Sequence, residues 1–332
     1  MVGLSLPLSF YSKIKQGVNE HLLFWRAIAR AAMLLFIGGV MVNHGYDEQL
    51  VGMSKAWWHT YFYGAIMIVN LATPKHWPEW RVRLLGSLKF ASWLVIAWML
   101  IIYRATGPDG QTMWFERSWW GILGLIGWAY LGAAFLYLLL QGDRMKLMLS
   151  LFPLAAIDLL SRHGVLNGLN LWREFNDSFG THTLIVISGA VVGSLFVGSR
   201  TMTHDSRMRF ILAFGTALYA LGTILRPMEG INKNAATVPW GLVSAGICCA
   251  LFVLFYWVIE VLQHKHWDWW LIPVGQNALL AYIFSNVNQD FYKAFTGSSL
   301  PYPGPYLNAL QQILLVCVFA WICTRSKLFM RL

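Results

Sequence analysis

Residues 119–140 read WWGILGLIGWAYLGAAFLYLLL, 22 residues without a single charge. At about 1.5 Å per residue, a helix of that length crosses the roughly 30 Å hydrocarbon core of a bilayer. A transmembrane barrel would instead show short segments of alternating hydrophobicity. Comparable apolar runs recur along the chain. The spans expected from them are 27–43, 56–73, 83–103, 119–140, 145–160, 181–199, 208–225, 238–262, 269–286 and 306–324. Pro153 makes the short span 145–160 a place for a kink or a partly re-entrant segment.

The rest of the composition agrees with this reading. The chain has 332 residues, 57% hydrophobic and only 12% charged, about half the charge of a soluble domain. A cytosolic enzyme and a disordered chain are both excluded. The expected fold is an all-α, polytopic transmembrane bundle of about ten spans plus a partial N-terminal helix, forming one domain over residues 1–332. The net charge of +10 comes from Lys and Arg scattered over short loops, with no basic tail or stripe, so no nucleic-acid partner is expected. These basic residues are twice as frequent in one alternating set of loops as in the other. That bias puts residues 11–26 and the C-terminus in the cytoplasm. The outer segments are then about 44–55, 104–118, 161–180, 226–237 and 287–305. Membrane lipids are the surrounding partner.

Cys248, Cys249, Cys317 and Cys323 all lie inside apolar runs, without zinc spacing or a disulfide framework, and read as small apolar fillers. No metal is expected. Gly189 and Gly193 make a GxxxG step, and Gly121, Gly124 and Gly127 a closely spaced series. Such residues let helices approach closely, within the chain or as the face of a homo-oligomer. Residues 1–10, MVGLSLPLSF, are apolar but too short to span. They lack a charged n-region and a cleavage site, so they do not read as a signal peptide.

Polar groups within the membrane are functional suspects. The outer turn Arg226-Pro-Met-Glu229-Gly-Ile-Asn232-Lys233-Asn234 reads as a hydrated, capped loop or as a place to hold an anionic or carbonyl-rich ligand. Pro273-Val-Gly275-Gln276-Asn277 loosens a helix and places two carboxamides at depth, where they bond to another helix or line a substrate cavity. His21, His76, His204, His264 and His266 lie in basic inner loops as solvated residues. His44, His59, His163 and His182 lie at or near the outer face, where a buried histidine can act as general base or acyl acceptor. Asp158, Glu260 and Asn70 lie near span ends, where snorkelling or capping accounts for them.

INKN at 231–234, the apolar helix ending in Glu260, PVGQNALLAYI at 273–283 and CTRSKLFMRL at 323–332 together resemble the C-terminal half of the heparan-alpha-glucosaminide N-acetyltransferase family. Arg30–Gly38 with Val42–Asn43 is similar to that family's third helix, and WWGILGLIGWAY at 119–130 to its bacterial members. The resemblance covers nearly the whole chain. It implies a bacterial inner-membrane acyltransferase that takes an acetyl group from cytosolic acetyl-CoA and delivers it to an amino sugar or glycan hydroxyl across the membrane. Asn232, Lys233, Asn234, Gln276 and Asn277 would line the donor or acceptor cavity. Lys233 would offset phosphate or oxyanion charge, and Asn277 would orient a carbonyl or sugar hydroxyl. MVGLSLPLSF resembles the end of the family's second helix. On that alignment the segment bearing the family's catalytic histidine is missing, and His182 and His44 are the candidates on the matching side. A transporter or flippase for a small glycan or lipid-linked sugar is the rival, although neither an inverted repeat nor a second broken helix is visible.

Overall fold

The computed structural model describes residues 2–42, 46–74, 77–107, 109–115, 120–165, 170–198, 202–265, 268–301 and 304–330, with the backbone alone for 170–178. In chain order the helices are α1 (Val2–Lys15), α2 (Glu20–Met41), α3 (Glu48–Val51), α4 (Lys55–Val69) and α5 (Glu79–Ile102), then α6 (Gly121–Leu139), α7 (Arg144–Leu149), α8 (Leu151–Arg162) and α9 (Asn170–Gly193). They continue as α10 (His204–Glu229), α11 (Val238–Tyr256), α12 (Ile272–Gln276), α13 (Ala278–Thr296) and α14 (Pro305–Arg325). A 3-10 turn, Ser194–Phe196, extends α9, and a π turn, Trp257–Val261, extends α11. Between α5 and α6, β1 (Ala105–Thr106) and β2 (Thr112–Met113) pair antiparallel.

Among the described residues, seven helices are long and apolar enough to cross a membrane: Glu20–Met41, Glu79–Ile102, Gly121–Leu139, Phe179–Phe196, His204–Glu229, Val238–Val261 and Pro305–Arg325. The chain is thus an integral membrane protein by length and composition of its helices. Three of the ten expected spans differ. The span expected at 56–73 is α4, whose 15 residues reach only about 22 Å. The span expected at 145–160 is divided at Ser150 between α7 and α8. The span expected at 269–286 is divided at Asn277 (φ −120°, ψ 38°) between α12 and α13. Residues 2–10 form part of a 14-residue helix that accommodates Pro7 in its first half.

The chain forms two compact units: Met1–Val42 with Trp119–His264, and Asn43–Ser118 with Lys265–Leu332. In the first unit, α2 lies against α6, α1 against α9, and α10 against α11. Small residues set these spacings. A Cβ on Gly38 would meet the backbone of Gly124, and one on Gly193 the carbonyl of Leu4. Gly189 likewise packs on Gly3 and Leu4, so α1 occupies the face of the GxxxG step. Leu184, Ile187, Val191, Ala133, Ile211, Leu218 and Leu242 fill the core between the helices.

In the second unit, α4 packs on α5 and α13, and α12 and α13 on α14. Trp58 anchors α4: its ring stacks on Phe62 at 4.9 Å and its indole N–H donates to the Met99 carbonyl at 3.0 Å. Residues after α14 turn back, so that the amide of Ala72 donates to the Phe329 carbonyl at 2.7 Å and Leu71 bridges Met330.

Candidate functional site

Two polar constellations stand out, one in each unit. In the second unit, Ser54 caps α4 by accepting the Trp57 amide hydrogen. The helix then carries His59 one turn in. Nδ1 of His59 lies 2.6 Å from Oδ2 of Asp290 on α13. The side chains are 20% and 29% exposed. Edge-on contacts from Trp58 and Tyr63 fix the imidazole plane. A carboxylate on Nδ1 selects the tautomer whose Nε2 lone pair is free to take a proton. Its partial exposure leaves the ring open to the surface.

In the first unit, α8, α9, α10 and α11 converge on Asp158, which is 0% exposed. Its Oδ2 accepts the Thr181 hydroxyl hydrogen at 2.6 Å and the Arg162 Nε–H at 3.4 Å. Arg162 also lies 3.8 Å from Glu229, whose side chain is 6% exposed, and donates to the Ala236 carbonyl at 3.2 Å. Glu229 accepts the Val238 amide hydrogen at 3.2 Å. Asp158 therefore does not snorkel, as its place near a span end suggested. It is the buried end of an ion-pair network that ties α8 to the start of α11. Among the described residues Asp158 Oδ1 and Glu229 Oε1 have no hydrogen-bond partner.

No protein-family model and no curated protein matches this chain. The functional reading therefore stands on the residues themselves. The structure places INKN in the loop closed by this network. Asn232 Oδ1 accepts the amide hydrogens of Asn234 and Ala235 at 2.9 and 3.1 Å, while Thr237 donates its hydroxyl hydrogen to the Gly230 carbonyl. The Asn232 side chain thus shapes the turn. Lys233 and Asn234 are exposed. The His182 ring lies 5.8 Å from that of Trp240, and its buried Nδ1 has no hydrogen-bond partner among the described residues. His44 lies outside the described residues.

Asn277 belongs to the second unit, where it is buried. Its Nδ2 donates to the Thr324 hydroxyl at 3.0 Å and to the Leu328 carbonyl at 3.1 Å, and its Oδ1 accepts the Met330 amide hydrogen at 3.1 Å. All the amide donors are engaged, so Asn277 joins the helix break to the chain after α14. Gln276 beside it is exposed. Among the described residues, no group of three His, Cys, Asp or Glu is arranged to hold a metal.

Asp290 is the residue that the sequence did not single out. It lies in a polar segment that the loop charges lead us to expect on the outer side, 231 residues from His59, and no spacing rule links the two.

Proposed function

We propose that the chain is a membrane acyltransferase that passes an acetyl group from acetyl-CoA to an amino sugar or glycan. A cytoplasmic C-terminus fits the two-to-one bias of basic loops, and a bacterial inner membrane fits the likeness of residues 119–130 to bacterial members of the family. The observation that carries the reading is the His59–Asp290 pair. His59 Nε2 takes the proton from the acceptor's amine or hydroxyl as that atom bonds to the acetyl carbonyl carbon. The thioester C–S bond then breaks, and the proton returns to the departing sulfur. Asp290 positions the ring and stabilises the imidazolium in between.

Purified protein in proteoliposomes, supplied with acetyl-CoA and glucosamine, tests the reading. Acetylated product is expected from the wild type, and a loss of about 10²- to 10⁴-fold from His59→Ala. Undiminished transfer by His59→Ala, or none by the wild type, overturns it.

The broken helices favour a second reading. With α7–α8 divided at Ser150 and α12–α13 at Asn277, each unit contains an interrupted helix, as in transporters whose sites lie at such breaks. Glycan flux without acetyl-CoA consumption would decide for it.

A further inference from the structure

At the end of α10 opposite Glu229, a cation faces aromatic rings with no acid paired to it among the described residues. Arg207 Nη1 donates to the Tyr256 hydroxyl at 3.3 Å. Nδ1 of His204 lies 2.7 Å from the same oxygen. The Arg207 guanidinium rests over the Phe196 ring at 5.1 Å, and Phe196 packs edge-on against Phe252 and Tyr256. This floor fixes the guanidinium plane and faces its donors one way. Among the described residues only one of its five N–H groups is engaged, and its Nε is buried without an acceptor. The nearest acid in sequence, Asp205, is held by Arg209. His204 is exposed, and the described residues engage only its Nδ1.

A half-buried guanidinium with unused donors calls for an anion with several acceptor oxygens. The surroundings say what the anion is attached to. Leu251, Leu254 and Trp257 on the α11 side and Leu212 on α10 are exposed apolar residues within a few turns of the cluster. An anionic head at the end of an apolar lane matches an amphiphile better than a soluble ion.

We propose that Arg207, His204 and Tyr256 hold the phosphate of an anionic phospholipid, whose acyl chains lie along the exposed faces of α10 and α11. The phosphate oxygens accept from the free guanidinium N–H groups and from His204. This site is independent of the acyl-transfer reading.

Native mass spectrometry of the full chain tests the proposal, with phosphatidylglycerol set against phosphatidylcholine of the same acyl chains. The wild type is expected to retain phosphatidylglycerol about tenfold more strongly, roughly one charge-assisted hydrogen bond's worth. Arg207→Gln is expected to abolish the preference, and His204→Gln, at an exposed position, to reduce it. Phosphatidylglycerol should raise the melting temperature of the wild type but not of Arg207→Gln, which separates lost binding from lost folding. Equal retention by the wild type and both variants overturns the proposal. Displacement of the lipid by coenzyme A or inorganic phosphate, with stabilisation by that ligand alone, assigns the cluster to a soluble phosphate and also overturns it.

Discussion

The hydroxyl of Thr181 donates to Oδ2 of Asp158 at 2.6 Å, across the contact between α9 and α8. Thr181 and Asp158 are both buried. Thr181→Val keeps the shape and removes the donor, and should destabilise the protein by about 1–3 kcal/mol. Arg162→Met should be worse, by about 3–5 kcal/mol, because it strands both Asp158 and Glu229. Thermal unfolding in detergent, read for both variants against the wild type, checks the order. An Arg162 variant as stable as the Thr181 one would mean that the guanidinium contributes no more than the hydroxyl.

Neighbouring glycines on α2 should respond in opposite directions. A Cβ on Gly38 would strike Gly124 and the Trp120 carbonyl, whereas one on Gly39 meets nothing within 4 Å. Gly38→Ala should push α2 from α6 and destabilise by about 1–3 kcal/mol. Gly39→Ala should be neutral, or stabilising by up to about 1 kcal/mol, because alanine loses less backbone freedom in a helix. Melting temperatures of the pair decide the point.

Asn277→Ala should release the segment after α14. The Met330 amide and the Leu328 carbonyl lose their partner, and the tie of α12 to Thr324 is left to the bond from the Thr324 hydroxyl to the Pro273 carbonyl. Faster hydrogen exchange at 326–330, with little change at α9 to α11, is the expected pattern. Unchanged exchange at Met330 would show that the Leu71–Met330 bridge suffices.

Asp47 gives a pH dependence outside the spans. The Thr106 hydroxyl first, then the amides of Leu50 and Gln49, hold its carboxyl below the ordinary carboxylate value. A lowered folded value means that the cap on α3 contributes at pH above the unfolded value and is lost as the pH falls through the folded one. Protection of the Gln49 and Leu50 amides should therefore be lost at a pH below the ordinary carboxylate value. Thr106→Val should move the loss to higher pH. A carbon-13 titration of the Asp47 carboxyl measures both.

Most of the helical architecture was legible because long uncharged runs such as 119–140 can do little else. The departures have local causes. Lys55 and Asn70 bracket a helix too short to span, although its apolar centre looks like that of its neighbours. Pro273 and Gly275 marked the weak point of the α12–α13 segment. The break itself falls at Asn277, where bonds to Thr324, Leu328 and Met330 hold the carboxamide. The INKN loop was visible as polar, but not the fact that Asn232 spends its side chain on its own turn. Burial of Asp158 depends on Thr181, 23 residues on, and the His59–Asp290 pair on a contact across most of the chain. Those are properties of packing, which periodicity does not report.

The second unit is discontinuous: Asn43–Ser118 is completed by Lys265–Leu332. This has a consequence for biosynthesis. A ribosome adding about 5–20 residues per second needs roughly ten to fifty seconds to go from His59 to Asp290. Throughout that interval α4 is inserted without the helix that buries its far face, and His59 waits without its carboxylate. The closing bonds at Leu71 and Ala72 wait longer still, for residues 329–330. Nascent chains arrested before Asp290 should therefore be the species that membrane quality-control proteases recognise, and the first unit should already be protected in them.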